Sequence, residues 1–506
     1  LEASSSGKTE PRPAGPKPKR DLTTGPIGRT LIIFSLPVLG SNILQSLNGT
    51  ANAIWVSHTL GPVALTATSN ANQVFFLMLG AVFGITMASN ILIGQAMGAR
   101  DITLARRIVG TSTTFFVSLA ITVGVLGVLL TPHILDAMGT PPDARAEAIT
   151  YLRVIFAAMP FIYFFSYLMM AQRGTGDSRT PFYFSLMNVA LDVTFNPLLI
   201  TGWGPFPRMG IAGSATSTLI AQTVTLAVML VYLNRTRSIL VIKPSEWRLL
   251  KPDFGIVRTM VVKGLPMGAQ MIVVSLAAVT MMGLVNGYGS DTAAAYGAAL
   301  QLWTYVQMPA MALGAAVSSM AAQNVGAGRM DRVEKVARAG AMYAILFTGV
   351  PILLILLLER FVLHAFLPPG SASIPIAAHI NSLALWSFVP FGVAFVFSGV
   401  IRATGVVWPP LLAIVISLWG VRVPFANLMM PHWGADAVWI SFPVGSTATL
   451  LLAGSYYLWG GWRKARILKP TVPQGAQPDT GMSPPDGAEE SETRAQAAGV
   501  LKPAGR

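Results

Sequence analysis

Among the chain's 21 acidic side chains, Asp192 is the one that falls deep within an apolar run. It lies 11 residues past Pro181, where the run 181–203 opens, so at 1.5 Å per helical residue it sits about 16 Å into a membrane-length segment. A charge at that depth is expensive and must face the bundle interior or a water-filled cavity. Asn188, Asp192 and Asn196 are spaced by four and share one helix face, where two amides can hydrogen-bond a carboxyl in either protonation state. The chemistry such a trio offers is the loading and release of a cation, a proton first of all. The plainer reading is a protonated Asp that fastens two helices.

A second polar set runs through the first apolar segment. Ser41, Gln45, Asn48 and Asn52 form one stripe at helical spacing, continued by Asn70, Asn72 and Gln73 in the next segment. Gln270 and Gln301 stand 229 residues after Ser41 and Asn72. Such stripes serve as interhelical glue or as the wall of a wet cavity lined from both halves of the chain. Met residues and the aromatics Trp55, Phe75, Phe76, Trp303 and Tyr305 could add an adaptable apolar wall, although ordinary packing explains them as well. Arg422 lies inside a span, one residue beyond the position 229 after Asp192. It can pair with Asp192 or bond within its own half, and the second is favoured.

Other chemistry is missing. There is no Cys, which excludes thiolate metal sites and thiol catalysis. His58, His133, His364, His379 and His432 have no ligand spacing, no P-loop is present for ATP, and no acid or His cluster suits an enzyme. No metal or cofactor is expected.

The elements that must carry these groups are membrane helices. Hydrophobic residues are 53% of the chain and charged ones 11%, against about 25% charged in soluble proteins. Twelve apolar runs of spanning length occupy approximately 30–56, 63–92, 108–130, 148–171, 181–203, 211–233, 256–285, 292–320, 338–361, 377–400, 408–430 and 436–460. Landmarks repeat at offsets of about 229. Leu36-Pro37 returns as Leu265-Pro266, Gln95–Ala99 as Gln323–Ala327, Pro160-Phe161 as Pro390-Phe391, and Arg173–Pro181 as Arg402–Pro410. Six spans per repeat is an even number, so both halves enter the bilayer from one side and their symmetry axis follows the membrane normal. The expected fold class is all-α integral membrane, with 12 transmembrane helices as two parallel six-helix repeats.

Net charge is +14, but its placement is topological. With the N-terminus inside, the outer loops hold only Arg145, Arg153, Arg208 and Arg360, which fits the positive-inside rule and removes any need for nucleic acid. Residues 1–29 and 461–506 are expected to be disordered cytoplasmic ends. Residues 30–233 form one six-helix lobe, 234–255 a cytoplasmic linker lying on the membrane with Trp247 and Leu249-Leu250 at the interface, and 256–460 the second lobe. Thr180 before Pro181 reads as the cap of the fifth helix.

The chain resembles the MATE (multidrug and toxic compound extrusion) family of secondary transporters. The resemblance is carried by Leu36-Pro37, Asn52–Gly61, Gly94–Arg100, Arg173–Pro181, Asn196–Ile200, Gly264–Pro266, Gln323–Gly328 and Arg422–Pro424. It implies two six-helix lobes around a central cavity, and export of organic, often cationic or polyaromatic compounds in exchange for H⁺ or Na⁺. In the branch with an N-lobe coupling site, acids stand at the positions of Asn52 and Asn196, and an Asn is common at that of Asp192. Here the carboxyl has moved one turn along the helix. Thr218 matches a further polar member of that cluster. Carboxylates that another branch carries in the seventh and tenth helices have no counterpart.

The expected coupling residues are therefore Asp192, Asn188, Asn196, Asn52 and Thr218, with proton favoured over sodium. The expected substrate cavity is Gln45, Asn48, Asn72, Gln73, Gln270, Gln301 and Trp303. The expected activity is antiport of organic cationic or amphiphilic compounds by alternating access, in a monomer of the plasma (inner) membrane with both termini cytoplasmic. A lipid-linked oligosaccharide flippase of the same superfamily and an ion-uncoupled facilitator are the alternatives.

Overall fold

The structure is a computed structural model that describes residues 21–364 and 370–465. Within them the chain is all-α. The first six long helices are α1 (Ile27–Leu60), α2 (Pro62–Gly98), α3 (Ile102–Ala137), α4 (Pro142–Gly174), α5 (Arg179–Thr201) and α6 (Ile211–Arg235). The second six are α7 (Phe254–Asn286), α8 (Ser290–Gly326), α9 (Met330–Leu357), α10 (Ser373–Ala403), α11 (Trp408–Trp433) and α12 (Asp436–Trp459). All but α8 are long and apolar enough to cross a membrane. Helix α8 carries Gln301, Gln307, Ser318, Ser319, Gln323 and Asn324, and it can because it packs against α1, α2, α9 and α10. A helix enclosed by protein has less need of an apolar surface than one facing lipid.

Proline shapes the second half more than the first. Helix α4 continues through Pro160, whereas α10 tightens to a 3₁₀ turn at Leu385–Ser387 just before Pro390. Helix α11 widens to a π turn over Ile416–Arg422. Pro424 has no N–H to give the Gly420 carbonyl, so the helical register slips there.

Within the first half α2 packs on α4, α3 on α4, and α5 on α1 and α6; within the second, α8 packs on α9 and α10, and α12 on α10 and α11. The halves meet through α2 against α7, α1 against α8, and α2 against α8. Helix α1 belongs to both. Leu31, Phe34 and Val38 are buried with residues of α8–α10, while Val56 joins the core of the first half.

The seam is backbone against backbone. A Cβ on Gly84 would collide with the Gly264 carbonyl and the Gly268 amide, one on Gly98 with the Gln323 carbonyl, and one on Gly326 with the Gln95 carbonyl. Side chains then cross in a symmetric pair. Gln95 Nε2 donates to the Ala403 carbonyl at 2.7 Å, and Gln323 Nε2 to the Gly174 carbonyl at 2.9 Å. The repeat mates Asn90 and Ser319 face one another, Nδ2 to Oγ, at 3.4 Å. This sealed end is the one that bears the start of α1 and the connection between the halves.

Several sequence expectations change. Residues 21–29 are ordered, not part of a disordered end. Leu22 is fully buried, its amide donates to Gln323 Oε1 at 3.1 Å, and its carbonyl accepts from Asn324 Nδ2 at 3.1 Å. Arg329 and Arg332 hold the Thr23, Thr24 and Gly25 carbonyls, and α1 begins at Ile27. The boundary at 461 also moves. Trp462 is fully buried against Tyr457, and Arg463 pairs with Glu334 at 2.8 Å. Residues 1–20 and 466–506 lie outside the described residues. The cap of α5 is Asp177, not Thr180: its Oδ1 accepts from the Arg179 and Thr180 amides at 3.1 and 3.0 Å, and Thr180 Oγ1 donates to its Oδ2. Asp reaches these amides because it sits ahead of the first turn, and Gly176, at φ 91°, turns the chain to put it there. Gly405, its repeat mate, has the same φ of 91°.

The linker between the halves is tied down by Arg106, which grips Glu246 with two nitrogens, and by Arg107 to Asp253 at 2.6 Å. Hydrogen bonding from Arg106, aided by the Lys243 amide, lowers the Glu246 carboxyl to about 2. A carboxyl lowered by folding stabilises the fold above its ordinary pKa, and the effect fades as pH falls towards 2. The tether therefore holds across the whole physiological range.

Because the chain has no cysteine, the seam is open to direct test. A Cβ built on Gly94 stands 3.0 Å from the Ala322 Cβ, so the two helices need to part by only about 0.5 Å to reach the roughly 3.5 Å lower end of disulfide Cβ separations. The Gly94→Cys/Ala322→Cys double variant is expected to cross-link almost completely on mild oxidation, read as a mobility shift on non-reducing gels. A Gln73→Cys/Gln301→Cys pair, beyond the seam, is expected to remain reduced.

Candidate functional site

Helix α5 enters the bundle at the Asp177 cap and delivers Asp192 to a site between α1 and α6, where it is 1% exposed. Its Oδ2 accepts from Asn48 Nδ2 at 2.8 Å and its Oδ1 from Ser217 Oγ at 2.6 Å. Thr218 Oγ1 stands 3.3 and 3.4 Å from the two oxygens. Three helices thus meet on one carboxyl. Hydrogen bonds to a charged group contribute about 1.5–3 kcal/mol each. Three of them offset the several kcal/mol that burying one ion costs.

Ser217 gives the site a second property. Its Oγ is also 2.8 Å from the Ser214 carbonyl, yet it has a single proton. With Asp192 ionised, that proton goes to the carboxylate. With Asp192 protonated, the acid donates to Ser217 Oγ and the serine turns its own proton to the Ser214 carbonyl. Both forms are hydrogen-bonded without any backbone movement.

The flanking amides behave differently from expectation. Asn188 does not bond Asp192, and its Oδ1 is buried without a partner. Asn196 Nδ2 instead reaches Ser214 Oγ at 3.4 Å, and Ser214 Oγ reaches Asn52 Oδ1 at 3.4 Å, forming a looser chain one turn away. Residues four apart share a helix face but stand about 5–6 Å apart at Cβ, too far for such short side chains. Partners from neighbouring helices are nearer. Ser217 was missed in the sequence, although Ser214, Ser217 and Thr218 fall at i, i+3 and i+4 on α6.

The expected cavity residues divide. Gln45 is exposed near the middle of α1, Gln73 and Gln301 are exposed about a third of the way along α2 and α8, and Asn48 and Asn72 are half-buried. Exposed amides at such depth are tolerated only facing water, so they mark an opening beyond the glycine seam. Gln270 and Trp303 do not line it. Gln270 is buried and accepts from Arg402 Nη1 at 3.1 Å, and Trp303 is 2% exposed with Nε1 donating to Asn381 Oδ1 at 2.9 Å. An apolar crevice of about 400 Å³ between α1, α8 and α9, at Leu36, Leu39, Pro309 and Phe347, includes none of these groups.

Arg422 stays in its own half and does not meet Asp192. Its guanidinium lies 3.5 Å from the centroid of Phe442, and no carboxylate pairs with it among the described residues. A cation–π contact contributes about 0.5–2 kcal/mol. That is less than the several kcal/mol lost on drawing a guanidinium out of water.

Comparison with known proteins agrees with the duplicated bundle. The MatE family model matches twice, over residues 37–198 and 266–428, and so meets each half at the same point of the repeat. The chain belongs to the MATE family. It is 36% identical to the probable multidrug resistance protein YoeA of Bacillus subtilis, over 88% of this chain and 96% of that protein. It is 24% identical to the probable multidrug resistance protein NorM of Thermotoga maritima, over 87% and 94% of the two chains. Among solved structures, an outward-facing multidrug resistance MATE transporter of the MOP superfamily aligns with TM-score 0.78 at 21% identity, over 87% of this chain and 96% of that one. A MOP superfamily transporter from Pyrococcus furiosus aligns with TM-score 0.79 at 21% identity, with the same coverage. These likenesses establish the MATE fold of twelve spanning helices.

Removing the Ser217 hydroxyl should expose its dual role. Ser217→Ala is expected to cost about 1–2 kcal/mol of stability, read from thermal unfolding in detergent. Most of that cost should vanish in an Asp192→Asn background, where no charge remains to be satisfied.

Proposed function

We propose that this MATE-family chain is a proton-coupled antiporter that exports organic amphiphilic, often cationic, compounds across the plasma (inner) membrane. The observation that carries the reading is Asp192: one buried carboxyl, shared by three helices, with a serine placed to satisfy both of its protonation states. A single carboxyl suffices for a proton, whereas a sodium ion wants several oxygen ligands at once. The coupling group is Asp192, with Asn48, Ser217 and Thr218 as its direct partners and Asn52, Asn188 and Asn196 along the same wall.

Transport follows alternating access by two lobes, 30–233 and 256–460, joined by the linker 234–255. The glycine seam and the Gln95 and Gln323 bonds close the cytoplasmic end, where the positive-inside charge places both termini. The opening at Gln45, Gln73 and Gln301 then faces outward and receives protons. Protonation removes the charge that Asn48, Ser217 and Thr218 converge on. It thereby weakens the hold of α5 on α1 and α6 and lets the helices rearrange. The substrate contacts the exposed amides of both lobes. The working unit is a monomer, and no ATP or nucleic acid takes part.

The test is uptake of a fluorescent organic cation into inside-out proteoliposomes, in sodium-free buffer with an imposed pH gradient. The wild type is expected to concentrate the dye and Asp192→Asn to lose at least tenfold of that rate. Uptake that requires sodium would overturn the choice of ion. Equal gradient-driven uptake by the variant would reduce Asp192 to a structural bond.

A further inference from the structure

The segment that joins the halves has one side fastened to the bundle and two sides free. With three residues to a 3₁₀ turn, side chains three apart stack into ridges. The turn Pro244–Leu250 follows that rule, although its backbone kinks at Glu246, where φ is −111°. One ridge is Glu246 and Leu249. Arg106 grips Glu246, and Leu249 seats so closely on α3 that a Cβ on Gly110 would collide with the Leu249 carbonyl. Thr114 Oγ1 donates to the Leu250 carbonyl at 2.7 Å, and the Asp253 amide to Thr111 Oγ1 at 3.2 Å. Leu249, expected at the membrane interface, is therefore turned inward. The second ridge is Pro244, Trp247 and Leu250, all exposed, Trp247 to 58%. The third ends in Arg248 and Lys251, also exposed.

The height of this segment along α3 places it at the edge of the hydrocarbon. Helix α3 has 36 residues, about 54 Å, against a hydrocarbon core of about 30 Å, which leaves roughly 12 Å over at each end. Gly110 and Thr114 stand 8 and 12 residues past Ile102, about 12 and 18 Å along the helix. The exposed apolar row of α3 then begins, at Val117, Ile121 and Val125. Phe254 opens α7 with 80% of its surface exposed, and Arg258, exposed one turn on, shares its face. The acids nearby are already engaged. Arg106 holds Glu246, and Asp253 is bound by Arg107 at 2.6 Å and by the Gly255 amide at 2.9 Å. Arg248, Lys251 and Arg258 pair with no carboxylate among the described residues. Free cations beside exposed aromatic rings, at the depth where headgroups lie, form a surface complementary to an anionic leaflet.

We propose that Trp247, Leu250 and Phe254, with Arg248, Lys251 and Arg258, dock on anionic phospholipid headgroups of the cytoplasmic leaflet. The two rings and Leu250 enter the boundary between headgroups and acyl chains, and the three cations take the phosphates. Each basic side chain close to an anionic surface strengthens such binding about fivefold. The inner ridge is committed to α3, so the docked segment stays fixed to the first half while it leads into α7 of the second. Anionic lipid thus holds the joint between the halves at one height in the membrane. This surface does not depend on the exporter reading.

The lack of cysteine permits a direct test in the full chain. Ser245→Cys, on the free basic ridge, carries a fluorescent label in nanodiscs of phosphatidylcholine and phosphatidylglycerol at three to one. One quarter of the lipid is brominated as a quencher, either all the phosphatidylglycerol or an equal amount of the phosphatidylcholine. Brominated phosphatidylglycerol is expected to quench at least twice as strongly. Substituting Arg248, Lys251 and Arg258 together by Gln should make the two lipids equal, whereas Arg248→Lys with Arg258→Lys, which keeps the charge, should retain most of the preference. Trp247→Ser should weaken quenching by both lipids, because the apolar ridge no longer seats in the boundary. A label at Leu129→Cys, 65% exposed on α3 at the matching height in the outer leaflet, should show no preference. Equal quenching at Ser245→Cys with all three cations present overturns the proposal. So does a preference of the same size at Leu129→Cys, or one that survives the triple substitution in protein with an unchanged thermal midpoint. Ten-millimolar inorganic phosphate that removes the preference at constant ionic strength assigns the surface to a soluble anion and also overturns it.

Discussion

Everything in this molecule hangs on how closely α2 approaches α7 and α8. In a bilayer the lipid chains are as apolar as Leu, so helices gain little from burying apolar surface on one another. Contact must come from close packing and from polar groups that have no water to turn to. At Gly84, Gly98, Gly264 and Gly326 the missing Cβ lets backbones touch, and a single methyl at any of them would meet main-chain atoms of the other half. Such a contact cannot be stretched a little. It is either made or broken.

The glutamine pair shows how symmetry economises on design. Gln95 reaches the last turn of α10 and Gln323 the last turn of α4, each crossing from one half to a carbonyl that the end of a helix leaves free. Gln323 is also held from behind by the Leu22 amide, so its Oε1 accepts from the N-terminal strap while its Nε2 donates across the seam. The strap therefore orients one of the two crossing side chains, and the segment ahead of α1 is joined to the seam through Gln323.

Beyond the seam the two halves diverge in electrostatics while sharing geometry. The first half surrounds a carboxyl with hydroxyls and an amide. The second surrounds a guanidinium with aromatic rings. Neither charge neutralises the other, because each points into its own bundle. The halves accordingly differ in what satisfies their charge. Protonation answers the first from within, through Ser217, while the second has only its π contact.

The sequence by itself determined the class, the duplication and the depth of each charge. Apolar runs of spanning length are long-range statistical features that survive any packing detail, and a repeat offset of about 229 residues fixes one half from the other. Asp192 was legible because a charged residue in a span is costly and so carries meaning; Thr218 came from the family resemblance, and Asn48, read as cavity wall, is instead a direct partner of Asp192. What only the tertiary structure decided is partnership. Asn188 shares a face with Asp192 but cannot reach it, while Ser217, silent in the sequence, gives the shortest bond. Gln270 turned from the expected cavity to Arg402, and Trp303 from the wall to the core. Leu22 and Trp462, read as parts of loose ends, are buried because the helix ends leave grooves and free carbonyls that they fill. Helical periodicity assigns a residue to a face; the rotation and separation of neighbouring helices choose its partner, and those are set by packing between segments hundreds of residues apart.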